Sequence, residues 1–541
     1  MSIITASVMK KQEQNLEKWV NRVRYAIIIC TMNVYQDKKR KQMIKVVLAE
    51  ISMVLAVILI VVVATLAAMG FFVSGDGNIE QSGLAQIHSM PTGATVELDG
   101  NVLFSRTNLS RTMPEGEHWL KISRNKYDSW ENTLRMKPGM LLRLYYPRLF
   151  LLNRTAEMVR DFEKELEFYQ PSVDRTSIIY AEKGVTIWNL LDVRGDELKT
   201  TPLRMAEILP SVDEETGQFR GKIDELRWSA NSDHLLVKIS YDGQKDWILV
   251  NVKDPKQSLN LTETFGMDFT QVEMADDSAG KLFVLENKHL RRIDTAGQQI
   301  SRVLLDNVEN FANENSNIVY VGAPEKNTKG AEERQIGTYR DGEKGGVKLV
   351  TVGGATQVRA QIANYYGDEY IGYLVDNRLT VLVGNLPTYS ETGADLSVLT
   401  ELWKNYELGS TPKTFGVSPG GGHFWLRSGE QMMVAGFEVE EVYQYDVTGA
   451  PKWLDGDMFY AVSEDSLRVW DYDNTNLRTL VATKKYKDLS GLENETLDVT
   501  TFSEYKLAKY PVILATNDKW LYYLVDDGDG GVNLVREKVR D

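Results

Sequence analysis

Residues Ile51 to Val73, ISMVLAVILIVVVATLAAMGFFV, contain no charged side chain. A helix needs about 20 apolar residues to cross a hydrocarbon core of roughly 30 Å. A buried helix of a soluble protein would carry a polar stripe, and only Ser52 and Thr65 interrupt this run. The run also exceeds the apolar core of a cleavable signal peptide, roughly 7–15 residues. It is followed by Phe71, Phe72 and Val73 rather than by the small residues of a cleavage site. The reading is a persistent transmembrane helix over 46–73, a tail over 1–45 and a stalk over 74–83.

Charge orients the helix. Lys38, Lys39, Arg40, Lys41 and Lys45 precede it, whereas Asp76 and Glu80 follow it, with no Lys or Arg before Arg106. The positive-inside rule then keeps the N-terminus in the cytoplasm of a single-pass cell-membrane protein and exports the rest. The tail holds ten Lys and Arg against three Asp and Glu, +7, so the remainder carries −21 of a whole-chain charge of −14. An exterior so acidic excludes nucleic acid as a partner, because phosphate binding draws on Lys and Arg. The one cysteine, Cys30, lies in the tail. The exported part therefore has no disulfide and relies on packing. Leu16, Trp19, Val20, Val23, Ile27, Cys30 and Val34 recur at helical spacing, which predicts an amphipathic helix in the tail.

Beyond the stalk, residues 84–152 read as short strands joined by turns. Thr95-Val96-Glu97-Leu98 alternates and stops at Asp99-Gly100, a hairpin dipeptide. Pro91, Gly93 and Ala94 mark a turn before it, and Pro114 and Gly116 mark another before His118-Trp119-Leu120-Lys121-Ile122-Ser123. This order resembles the PEGA domain: a Pro-x-Gly-Ala turn, a strand closed by Asp-Gly, then a Pro-x-Gly-x-His turn before a strand. The family's usual Gly and Thr-Pro between the two blocks are replaced by Ser105-Arg106-Thr107-Asn108. The resemblance implies a β-sandwich of the kind found in surface proteins of bacteria and archaea, and it brings no catalytic residues.

Thr155 to Tyr169, TAEMVRDFEKELEFY, has helical spacing and many charges, so a helical connector is expected over 153–176. From 177 to 541, units of strand, polar turn and apolar strand recur, as in Leu226–Val237, Gly416–Leu426 and Lys452–Val462, with similar turns near Asp276, Asn313, Tyr366 and Glu504. A period of about 40–50 residues with several strands per unit signals a β-propeller. Seven units are apparent and Ser177–Met205 supplies an eighth, so seven or eight blades are expected; a pair of large β-sandwiches is the alternative. The fold class is mainly β.

Motifs for chemistry fail on context. His88, His118, His234, His289 and His423 have no metal-ligand spacing. Asp526-Asp527-Gly528-Asp529-Gly530-Gly531 puts Gly where a calcium loop needs oxygen ligands, and it reads as a hairpin turn. Asp471, Asp473 and Asn474 read as a blade-edge turn. Gly416-Val417-Ser418-Pro419-Gly420 matches G-x-S-x-G in letters, but a nucleophile elbow leads into a helix and this segment leads into the strand Phe424-Trp425-Leu426. No catalytic, cofactor or metal residue is expected. The expected function is binding or scaffolding of an envelope or surface protein or glycan, with a propeller enzyme, hydrolase or lyase, or a transducer acting through the tail as alternatives.

Overall fold

The computed structural model describes residues 18, 20–22, 37–68, 71–73, 79–162, 164–275, 278–355, 357–483, 500–502, 506–526 and 531–541. Most of the expected tail helix, the turn at Glu504 and the Asp527–Gly530 turn lie outside them. The chain divides into two units, one of 1–84 with 112–116 and 136–140, the other of 85–111, 117–135 and 141–541.

In the first unit, helix α1 spans Asp37–Ala68. Its stretch Val47–Leu66 is long and apolar enough to cross a membrane, and none of it is buried. The helix starts nine residues earlier than the expected 46 and takes in the Lys38–Lys45 cluster. It does not reach Val73. Phe71–Val73 forms strand β1 instead, paired with the start of β2 (Ile79–Ile87), Phe71 opposite Gln81. Aromatic and β-branched residues favour strands, so this end of the apolar run leaves the helix. The expected stalk is corrected likewise: residues 79–83 lie in β2.

In the second unit, β3 (Thr95–Leu98), β4 (Asn101–Val102), β6 (Gly116–Ser123) and β7 (Ser129–Met136) form a sheet in the order β4-β3-β6-β7; β5 is Leu109–Pro114 and β8 Leu141–Leu144. Asp99 and Gly100 turn β3 into β4 with φ of 49° and 77°, a conformation that suits Asp-Gly. The Asp99 carboxylate caps the next hairpin, accepting the Trp119 N–H at 2.9 Å and lying 2.7 Å from His118 Nδ1. Thr107 is buried, and its hydroxyl accepts the Ala94 N–H at 2.9 Å and meets Ser89 at 2.6 Å. The segment that departs from the family pattern thus braces the Pro91–Ala94 turn.

Eight sheets follow, antiparallel except where Thr500–Phe502 pairs in parallel with Val481–Thr483: blade 1 at 166–204, blade 2 at 222–260, blade 3 at 271–300, blade 4 at 308–353, blade 5 at 358–407, blade 6 at 414–446, blade 7 at 452–483 with 500–502, and blade 8 at 506–526 with 531–538. The sequence explains their middle strands. In Leu235-Leu236-Val237-Lys238-Ile239, alternate residues point to opposite faces. Leu235, Val237 and Ile239 join a cluster with Trp188 and Trp228 against blade 1, while Leu236 joins Trp247 and Leu282 against blade 3. A blade is covered on both sides, so its middle strands read as continuous apolar runs. Clusters of this kind also join blades 3 and 4, 4 and 5, 5 and 6, 7 and 8, and 8 and 1. Between blades 6 and 7, Trp425 lies 6.3 Å from Trp453 and 6.2 Å from Phe459. The ring is a closed β-propeller.

Its closure corrects the expected connector. The segment 153–176 is not helical: β9 (Ala156–Phe162) and β10 (Leu166–Pro171) are strands. β9 is the outer strand of blade 8, running from Ala156 opposite Glu537 to Phe162 opposite Val532, and β10 opens blade 1. An outer strand needs only a partner for its backbone, so the charged side chains of β9, Glu157, Arg160 and Asp161, can stay at its surface; helical propensity is overridden by pairing. The propeller accordingly includes residues well before 177. The end of the chain is also structural. Glu537 is fully buried against Arg154, and Val539 packs in the seam of blades 7 and 8.

Candidate functional site

The first turn of each blade, between its first two main strands, recurs in conformation. A residue with positive φ sits there in seven blades: Arg175, Ser232, Ala279, Asn315, Tyr366, Gly420 with Gly421, and Asp518. Neighbouring turns touch. Asp174 N–H reaches the Ser232 hydroxyl, Thr516 N–H donates to the Arg175 carbonyl, and a Cβ placed at Gly456 would lie 2.5 Å from the Pro419 carbonyl oxygen. These turns ring one face of the propeller.

The strap that leaves the small β domain, Leu141 to Phe150, is laid across part of this ring. Alternation in β8 buries Leu142 and Leu144 and turns Arg143 outward. The Arg143 N–H donates to Glu438 Oε1 at 3.0 Å, its guanidinium lies 3.4 Å from both Glu438 oxygens, and Tyr365 donates to Glu438 at 2.9 Å. Arg143 also lies 4.2 Å from the ring centre of Tyr366. Further on, Arg148 bridges Asp455 of blade 7, at 2.6 Å, and Asp518 of blade 8, at 2.7 Å. Arg175 reaches the other Asp518 oxygen at 3.3 Å. Phe150 then enters the seam of blades 7 and 8.

Behind the strap, β7 docks on the outer turn of blade 7. Trp130 Nε1 donates to Asp471 Oδ2 at 2.6 Å, Asn132 to Asp473 at 2.7 Å, and Arg478 pairs with Asp128 at 2.8 Å. Burial pushes the Asp471 carboxyl up to about 8 against the pull of Arg478. Asp471 and Asp473, read from sequence as a blade-edge turn, do form one; sequence gave no sign that the turn carries a second domain.

Strap and turns enclose a cleft of about 340 Å³, lined by Tyr145, Tyr366, Glu438, Asp457 and Tyr472 among others. Its two aspartates differ. For Asp455, the opposing charge of Arg148 and the Asp457 N–H outweigh burial, and its carboxyl is held below the usual range. Burial, reinforced by the charge of Asp455, pushes Asp457 up to about 7.

Ser418 and His423 meet at one wall, Oγ to Nδ1 at 3.3 Å. The same spacing recurs elsewhere. Ser418 Oγ accepts the His423 N–H at 3.1 Å, Ser229 that of His234 at 2.9 Å, and Ser172 that of Ser177 at 3.0 Å. A serine that ties the residue five positions on is thus the turn's own fastening, used in three blades. His423 is buried, and desolvation drives its pKa down to about 3, which keeps it neutral. Among the described residues, no group of three or more His, Cys, Asp or Glu is placed to hold a metal ion.

The residues singled out in sequence lie elsewhere. Lys38, Lys39, Arg40, Lys41 and Lys45 fall on α1. Pro91, Gly93, Ala94, Asp99, Gly100, Pro114 and Gly116 occupy turns of the small β domain; Gly93 and Gly116 have φ of 77° and 134°. None of them lines the cleft. The cleft residues lie far apart in the chain, Arg148 and Asp455 by 307 positions, and no local pattern joins them.

Residues 82–147 match the family model described as PEGA domain. No curated protein matches the chain. Among solved structures, an oligogalacturonate lyase in complex with manganese is similar at 13% identity, covering 58% of this chain and 88% of that one, with a TM-score of 0.35. An oligogalacturonate lyase from Vibrio parahaemolyticus is similar at 12% identity, covering 66% and 98%, with a TM-score of 0.36. PorZ, a bacterial surface component of the type-IX secretion system of Porphyromonas gingivalis, is similar at 10% identity, covering 70% and 46%, with a TM-score of 0.37. These are likenesses of architecture; no activity, ligand or partner passes from them to this chain.

Proposed function

We propose that this is a single-pass cell-envelope protein, held in the cell membrane by α1 with its basic tail in the cytoplasm, whose exported β domains bind an envelope or surface partner without catalysis. The orientation rests on the Lys38–Lys45 cluster before the apolar helix and on the lack of any Lys or Arg after it until Arg106. The observation that carries the binding reading is the cleft itself. Its walls come from two domains clamped together by buried charge pairs, so its tyrosines are held in place before any ligand arrives, which lowers the entropy lost on binding. The hydrogen bond from the His423 N–H to Ser418 Oγ, repeated at Ser229 and Ser172, supports reading Ser418 as a turn fastening.

A photo-crosslinking amino acid placed at Tyr366, which is 61% exposed, tests this on intact cells. A specific adduct, protein or glycan, is expected from that position and not from Tyr406, which is exposed on the outer strand of blade 5. Equal adducts from both positions, or none, contradict the reading.

One observation favours an enzyme instead. Asp455 and Asp457 are neighbouring carboxyls with pKa values pushed apart, the pattern of an acid–base pair. Against it, Asp455 is occupied by Arg148 and by two backbone N–H groups at 2.8 Å. Turnover of a glycoside that Asp457→Asn abolishes would establish the enzyme.

A further inference from the structure

The cleft's charges restrict what it can hold. Arg143 is paired with Glu438, Arg148 with Asp455 and Asp518, and Arg175 with Asp518. An anionic ligand would have to displace a carboxylate from one of these pairs, two of whose acids, Asp455 and Asp518, are almost fully buried. A cationic ligand would have to draw a carboxylate away from the guanidinium it already pairs with. Neither sign of charge is invited.

What the cleft leaves available is different in kind. The Asp457 carboxyl makes no hydrogen bond or ion pair among the described residues, and near neutral pH it is present both as donor and as acceptor. Beside it stands Tyr366, with Arg143 over its ring at 4.2 Å and Tyr365 edge-on at 4.6 Å. Tyr366 also occupies the first position of a two-residue hairpin turn with φ of 50°, followed by Gly367 at 93°. That position favours Asn, Asp or Gly, and an aromatic residue there carries backbone strain that the turn does not require.

We infer that the cleft binds a neutral saccharide, one ring lying on the open side of Tyr366 and its hydroxyls exchanging hydrogen bonds with Asp457 and with the Arg143–Glu438 pair. The inference rests on the binding reading above. A hydroxyl suits a prepaired guanidinium and carboxylate because it accepts from one and donates to the other, leaving their charges matched. A pyranose ring presents an apolar C–H face to an aromatic ring. The volume, about 340 Å³, lies within the range of small-ligand sites.

The test is calorimetric titration of the full chain in detergent with cellohexaose, chitohexaose and maltohexaose, and with a hyaluronan hexasaccharide as the acidic contrast. At least one neutral saccharide should bind, with affinity unchanged between low and high salt, because no net charge is neutralised. Tyr366→Asn, which keeps a residue suited to the turn, should weaken that binding by about tenfold or more, roughly the loss of one good contact. Tyr406→Ala should leave it unchanged, and equal melting temperatures show that the variants are folded. Binding of the acidic saccharide alone, binding that survives Tyr366→Asn, or no binding of any neutral saccharide overturns the inference. If crosslinking at Tyr366 still captures one protein while every saccharide fails, the binding reading stands and the saccharide falls. If both fail, both fall.

Discussion

Replacing Glu537 with Ala removes one partner of an ion pair that has no access to water. Arg154 Nε lies 2.6 Å from Glu537 Oε1, and both side chains are 0% exposed. The guanidinium also donates to the carbonyls of Leu151 and Leu480, while Tyr523 donates to the second Glu537 oxygen at 3.0 Å. The pair therefore ties the end of the small β domain to blades 7 and 8. Without the carboxylate, a buried cation is left with two carbonyls, and a loss of about 3–5 kcal/mol is expected. That is a large part of the roughly 5–15 kcal/mol by which domains are stable. Urea unfolding of the full chain in detergent, followed by Trp fluorescence, should show the midpoint falling with little change in slope. The double variant Arg154→Met with Glu537→Leu should recover most of the loss, because no unpaired charge remains. A chain ending at Arg536 should be at least as unstable as Glu537→Ala, since it also loses Val539 from the core. An unchanged midpoint in Glu537→Ala refutes the reasoning.

Phe162→Ala, in the strand that closes blade 8, should cost about 3–5 kcal/mol and expose a free sheet edge, giving oligomers by size-exclusion chromatography; a monomer of normal stability contradicts closure through β9. Gly100→Val meets nothing within 4 Å, so its expected cost of about 1–3 kcal/mol is backbone strain alone, read as a lower melting temperature. Asp471 has a folded pKa of about 8 against roughly 3.9 unfolded. The folded state thus holds an extra proton between these values, and the Asp471 contribution makes stability fall as pH rises from about 4 to 8. Asp471→Asn should flatten that fall in melting temperature; an identical pH profile argues against a protonated Asp471.

Strands buried on both faces were legible because their runs, such as Leu235–Ile239, are apolar throughout and the turns between them repeat. The Asp99-Gly100 hairpin was legible because its chemistry is local. What failed was set by distant partners. The segment from β9 to β10 has its charged residues at helical spacing, and only pairing with Val532–Lys538 and with blade 1 makes its two halves strands. Glu537 to Asp541 is charged at every position but Val539, and nothing in that stretch points to Arg154, 383 positions before Glu537. The cleft was illegible for the same reason: Arg143 and Arg148 acquire meaning only where the strap crosses the blade turns.

A binding role at the cell surface requires the acidic propeller to lie outside the membrane. Protease added to intact spheroplasts, followed by blotting for tags at both ends, measures this directly. The C-terminal tag should be lost, a fragment containing α1 and the tail should be protected, and Gln at Lys38, Lys39, Arg40 and Lys41 should produce a fraction of inverted chains. A C-terminal tag that survives until the spheroplasts are lysed would contradict an exported propeller.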